Sequence, residues 1–134
     1  MIAAGTVELM GHVVVEDDSL TITAPHGFYY RDTRRAEASG DVRLTDGGQT
    51  LRAAYGEYLA GPRTAFFHTE VVAWDSASIL NADSAWYDRA RRSTDARGRV
   101  VLHQRADRVT ISGGRFEHDG VRLFSRMTES PVLV

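Results

Sequence analysis

One period organises this chain. Val13, Val42, Val71 and Val100 stand 29 residues apart, and Val15, Leu44, Ala73 and Leu102 keep the same step. So do Ile22, Leu51, Leu80 and Val109, and Ala24, Ala53, Ala82 and Ile111. An aromatic column, Tyr29, Tyr58, Tyr87 and Phe116, follows it too. Gly11, Gly40 and Gly98 form a column with Thr69 as the exception, and Gly27, Gly56 and Gly114 form another with Ala85 in it. Matching residue types at a fixed step mark stacked copies of one supersecondary unit. The copies are residues 7–35, 36–64, 65–93 and 94–122, and the chain reads as a single domain over residues 1–134 with no linker.

Within a copy the apolar residues alternate, which is the two-residue period of a strand buried on one face. In the second copy Leu44 pairs with Leu51 and Val42 with Ala53, leaving Gly47-Gly48 as a two-residue loop suited to a type I′ turn. The same register joins Val15 to Ile22 and Ala73 to Leu80. Asp18-Ser19 and Ser76-Ala77 are poorer turn formers, so longer loops are expected there. Asp17, Asp46 and Asp75 share a turn position where a carboxylate accepts local backbone hydrogen bonds. This register sets Gly40 against Tyr55 and Gly56 against Ser39, and glycine inside a strand marks a bulge or bend. Tyr58 lies seven positions after Leu51, so a bulge at Gly56 is needed to return it to the inner face. The expected fold is all-β: a creased antiparallel sheet of four 29-residue hairpin repeats, with two arms that close on each other.

One arm is lined by Val42, Leu44, Leu51, Ala53, Val71, Leu80 and Ala82. The other carries smaller residues, Ala36, Ala38, Ala65 and Ala96, with Phe67, Tyr58 and Tyr87 among them. Small side chains either let the arms close fully or leave an apolar groove that takes a ligand. Arg34, Arg63 and Arg92 are in phase and form a row along one rim, as turn contacts or as a positive edge for phosphates. The stretch from Tyr87 to Gly98, YDRARRSTDARG, reads as a turn and the start of a strand.

Composition excludes several functions. A net charge of −2 argues against nucleic-acid binding, although all 16 basic residues are arginine. Without cysteine there is no disulfide, thiol nucleophile or thiolate metal site. His12, His26, His68, His103 and His118 fall in different phases of the repeat, so stacking gathers no metal centre. Neither a catalytic constellation nor a phosphate loop is present; the chain reads as a non-enzyme without cofactor. No apolar run spans a bilayer, and the start, MIAAGTVELMGH, lacks the segments of a signal peptide.

In order and spacing the columns resemble the OstA/LptA-like family of lipopolysaccharide-transport proteins. The residues that carry the resemblance are Gly11, Val13, Val15, Ile22, Ala24, Tyr29, Arg34, Ala36, Ala38 and Gly40 in its first occurrence. Gly40, Val42, Leu44, Leu51, Ala53, Tyr58, Arg63 and Ala65 follow in the second, and Val71, Leu80, Ala82, Tyr87, Arg92, Ala96 and Gly98 in the third. The resemblance implies a β-jellyroll, a periplasmic location, and binding of lipopolysaccharide through the acyl chains of lipid A. It also implies jellyroll modules joined end to end by edge-strand pairing. The fourth copy departs from the pattern, with Val121 for the arginine and Phe116 for the tyrosine. The edges themselves, Gly5 to Leu9 and Pro131 to Val134, are poorly protected, so head-to-tail homo-oligomers are expected. The alternative is a parallel β-solenoid that polymerises as a scaffold or binds polysaccharide. That fold would pair Val13 with Val42 directly, whereas the jellyroll pairs Leu44 with Leu51.

Overall fold

The computed structural model describes residues 5–134, so the first four residues of the 1–134 unit lie outside the described ones. Alternating apolar residues produce long strands: β1 (Thr6–Asp17), β2 (Leu20–Tyr30), β3 (Arg35–Asp46) and β4 (Gln49–Leu59). β5 (Thr64–Trp74), β6 (Ser78–Asp88), β7 (Ser93–Gln104) and β8 (Val109–Asp119) repeat the plan. Two short strands, β9 (Phe124–Thr128) and β10 (Val132–Leu133), share the far edge of β8. All ten belong to one sheet, and from β1 to β9 sequence neighbours are antiparallel partners. Leu44 faces Leu51 and Val42 faces Ala53, as do Val15 and Ile22, and Ala73 and Leu80. Val13 faces Ala24 rather than Val42, which overturns the parallel solenoid.

The first hairpin loop is shorter than its composition suggested, whereas the third is longer, as expected, with the ladder ending at Trp74 and Ile79. Asp17 faces Leu20 across Asp18-Ser19, and Asp18 takes the left-handed conformation (φ 54°) that aspartate tolerates better than most residues. At the third hairpin the Asp75 carboxylate accepts hydrogen bonds from the amides of Ala77 and Ser78, each at 2.8 Å. Its side chain thereby stabilises a turn that the sequence of the loop would not favour.

The crease differs in detail from its expected form. Gly40 faces no residue: it sits in a bulge of β3, where the register slips between Ser39 and Val42. Tyr55 therefore faces Ser39, and Gly56 faces Ala38. The bulges recur on the odd strands with φ of 92° at Gly11, 102° at Gly40, 71° at Thr69 and 82° at Gly98. A left-handed residue needs no Cβ to avoid, which is why glycine holds three of the four places. Gly56 serves a different purpose. A Cβ there would lie 2.9 Å from the Phe67 ring and 3.0 Å from Val42, so the glycine makes room for a packed ring.

Each bulge divides its strand into a hairpin arm and a turn arm, and the core lies between the arms. Leu20, Val42, Phe67, Val71, Ala96 and Val100 are wholly or almost wholly buried in it. Tyr58, at 3% exposure, faces inward as expected, because the alternation of β4 changes parity between Ala53 and Gly56, opposite the bulge of β3.

Candidate functional site

The interior is closed in the middle and open beyond it. Between the arms, over the second to fourth copies, lies a cavity of about 230 Å³. Leu44, Leu51, Leu80 and Leu102 line it from the hairpin arm, and Ala85, Tyr87 and Phe116 from the turn arm. Engineered apolar cavities of about 150 Å³ stay dry and admit benzene, so this one is roomy enough for a hydrocarbon guest. Of the residues expected along a groove, Leu44, Leu51, Leu80 and Tyr87 line this space. Val42, Ala53, Ala65, Phe67, Val71, Ala82 and Ala96 instead pack into the closed crease, while Tyr58 borders openings nearer β1. The groove is therefore not uniform along the body, because Phe67 fills the space that the small residues of its column leave elsewhere. A Trp at Ala53 or Ala82 would overpack the crease rather than enter an open channel.

Opposite the crease, the hairpin tips meet the turns of the other arm, and polar side chains fasten them together. The Tyr58 hydroxyl donates to Asp17 Oδ2 at 2.6 Å, and the Tyr87 hydroxyl to Asp46 Oδ2 at 3.0 Å. Arg89 reaches across two copies, with Asp46 at 3.5 Å and Asp17 at 3.7 Å, and its side chain is only 9% exposed. Arg63 adds a bond to Asp18 at 3.0 Å. Burial opposes the charge on Arg89, yet Asp46, Asp17 and Asp18 hold its pKa above the ordinary value. Burial and then Asp46 push the Tyr87 hydroxyl up to about 12. The Tyr58 hydroxyl bond holds Asp17 below the usual carboxylate range against the opposing effect of burial, and Arg63 and Arg89 reinforce it. Asp17 and Asp46 thus tie the arms to each other, and Asp75 alone of its column serves its own turn as expected.

An open antiparallel sheet of this order, creased and closed on an apolar interior, has a solved counterpart. LptH from Pseudomonas aeruginosa, described as the LptA homologous periplasmic component of the lipopolysaccharide transport device, superposes with a TM-score of 0.69. The alignment covers 98% of this chain and 94% of LptH at 10% identity. The chain shares the fold of LptH. Neither the family models nor the curated proteins compared with the sequence give a match.

Within this LptH-like sheet the three in-phase arginines are not equivalent. All adopt left-handed backbone, with φ of 53° at Arg34, 59° at Arg63 and 52° at Arg92. Their carbonyls accept from the amides of Ala60, Arg89 and Gly120, so the column builds a ladder between successive turns. Only the Arg63 side chain joins the fastening of the arms. Arg34 borders the opening at the β1 end, beside Tyr29 and Val15, and Arg92 borders a polar recess at the mouth of the cavity. Arg89, the most deeply set cation at the mouth, escaped the sequence reading. Its repeat positions hold Arg31, Ala60 and His118, a column too broken to announce it.

The fastening has a defined pH dependence. A carboxyl whose folded pKa is depressed contributes stability above its unfolded value near 4, and that contribution is lost as pH falls through the folded value. A tyrosine whose folded pKa is raised contributes below about 10, and the contribution is lost as pH rises toward 12. Arg89→Met is expected to lower the melting temperature at pH 7 and to flatten its fall between pH 5 and pH 2. Melting curves by circular dichroism check this, and parallel pH profiles for the two proteins would disconnect Arg89 from Asp17.

Proposed function

We propose that this chain binds lipopolysaccharide by its acyl chains in the periplasm and passes it on, as one module of a bridge built by edge-strand pairing. The observation that carries the reading is an apolar cavity between the arms of a sheet that is open at both ends, in a fold shared with LptH. The function is binding and transfer rather than catalysis. Hydrocarbon chains leave water for the space lined by Leu44, Leu51, Leu80, Leu102 and Phe116, and their transfer requires no bond to be made or broken.

A fluorescent lipid A analogue tests this directly. The wild-type protein is expected to bind it, and Leu102→Trp to lose most of that binding while still melting cooperatively, since the added ring enters a void. A wild-type protein that leaves the analogue in solution ends the reading.

The edges supply the bridge. β1 presents an unpaired side over 12 residues, and β9 with β10 presents the other, flanked by exposed Phe124, Val132 and Leu133. Unlike edges that meet head to tail extend without closing. Light scattering is expected to show a ladder of oligomers that grows with concentration, shortened by Val7→Pro or by deletion of residues 131–134. A strict monomer at millimolar concentration would remove edge pairing from the account.

A further inference from the structure

The fastening at the mouth follows the repeat until it fails at one place. Tyr58 reaches Asp17 and Tyr87 reaches Asp46, each 41 residues back along the chain. The next pair in that series is Phe116 with Asp75. Phe116 has no hydroxyl to donate, and the residue in the repeat position of Arg89 is His118. Asp75 turns to its own hairpin instead, accepting from Ala77 and Ser78 through Oδ1. Asp75, Phe116 and His118 all line the 230 Å³ cavity, so the unfastened stretch of mouth lies over this apolar space between the arms.

The wall beside this gap carries spare positive charge. Asp46, Arg63, Arg89, Arg92 and His118 border a recess that shares Gln49, Tyr87 and His118 with the cavity. Arg63 is engaged by Asp18, and Arg89 by Asp46 and Asp17. Arg92 is exposed and, among the described residues, forms no ion pair. His118 Nδ1 bonds to the Ser125 hydroxyl at 2.7 Å, which fixes the ring between recess and cavity.

We propose that the cavity is loaded from the side: one alkyl chain of an anionic amphiphile passes between the Asp75 hairpin and Phe116, and its phosphate rests against Arg92 and His118. This rests on the lipid-binding reading above and adds a route and a headgroup site to it. The two fastened positions keep the mouth shut over the first copies, so the chain is admitted only where the fastening is absent. A guanidinium without a carboxylate partner favours a phosphate, and the apolar cavity next to it takes the tail.

Trp74 lines the cavity and reports its occupancy. In a Trp86→Phe background, decyl phosphate brominated at the chain end is expected to quench Trp74 fluorescence. Phe116→Tyr combined with His118→Arg restores the fastening opposite Asp75, whose Oδ2 remains for a hydroxyl. It is expected to slow association at least tenfold in stopped flow. Arg92→Gln is expected to weaken the phosphate about tenfold and to leave binding of the equally brominated decanol unchanged. If the restored fastening leaves the association rate unaltered while Leu102→Phe, which fills the cavity without adding a second tryptophan, abolishes quenching, the chain enters by the ends of the sheet. The side route is then wrong and the lipid-binding reading survives. An equal effect of Arg92→Gln on phosphate and alcohol overturns the headgroup site. Absence of quenching in the wild-type background overturns both readings together.

Discussion

Gly40→Val is expected to cost the protein about 3 kcal/mol or more, measured by urea denaturation. Two terms contribute. The backbone at Gly40 has φ 102°, a region that a β-branched residue enters only under strain, and a Cβ there would lie 2.4 Å from Pro25 Cγ on the neighbouring strand. Gly11 separates the terms, because its φ is 92° but its Cβ would meet nothing within 4 Å. Gly11→Val therefore carries the backbone strain alone, and the difference between the two variants measures the contact with Pro25. The converse change, Thr69→Gly, relieves a left-handed threonine and is expected to stabilise by about 1 kcal/mol. Arg43→Val on the exposed face of the same strand serves as the reference, within about 0.5 kcal/mol of wild type. Equal losses at Gly40 and Arg43 would show that the bulge imposes no constraint.

The strand pairing was legible because a two-residue alternation carries its own register: once Leu44 faces Leu51, every inner residue of the hairpin arm is placed. The place of the bulge was not. Glycine answers both to a left-handed backbone and to a close neighbour: Gly40 has both reasons, and Gly56 has only the second. Composition cannot tell these apart, so the irregularity was assigned to the wrong strand. The fastening of the arms was hidden for another reason. Repeat columns describe what each copy does within itself, whereas the Tyr58 to Asp17 bond joins different copies, and the twist of the sheet decides which turn meets which hairpin. Asp17, Asp46 and Asp75 look identical in the sequence, and their partners differ because Phe116 ends the series of hydroxyls. Cavity and packed crease were also inseparable by residue type, since alanines line both and a single large side chain, Phe67, divides them.

That side chain carries the second large effect. Phe67→Ala is expected to cost about 3–5 kcal/mol, the usual consequence of removing a fully buried ring from a site that cannot collapse. Collapse is limited here because the ring lies against Gly56 on the neighbouring strand, where a Cβ would meet both the ring and Val42, and these backbones are held in the sheet. The two positions should therefore be coupled. Gly56→Ala in the wild-type protein drives a methyl to 2.9 Å from the Phe67 ring, but with Ala at position 67 only the contact with Val42 at 3.0 Å remains. The double variant is expected to lose less stability than the two single losses added together, by about 1 kcal/mol. Additive losses would mean that the ring does not press on Gly56 and that the glycine is there for some other reason. Loss of the ring is also expected to open space beside Val42 toward the cavity. On the proposed function, the same variant should take up longer alkyl chains in preference to the length favoured by the wild-type protein. Chain-length profiles that coincide for the two proteins would show that Phe67 does not set the depth to which a chain is bound.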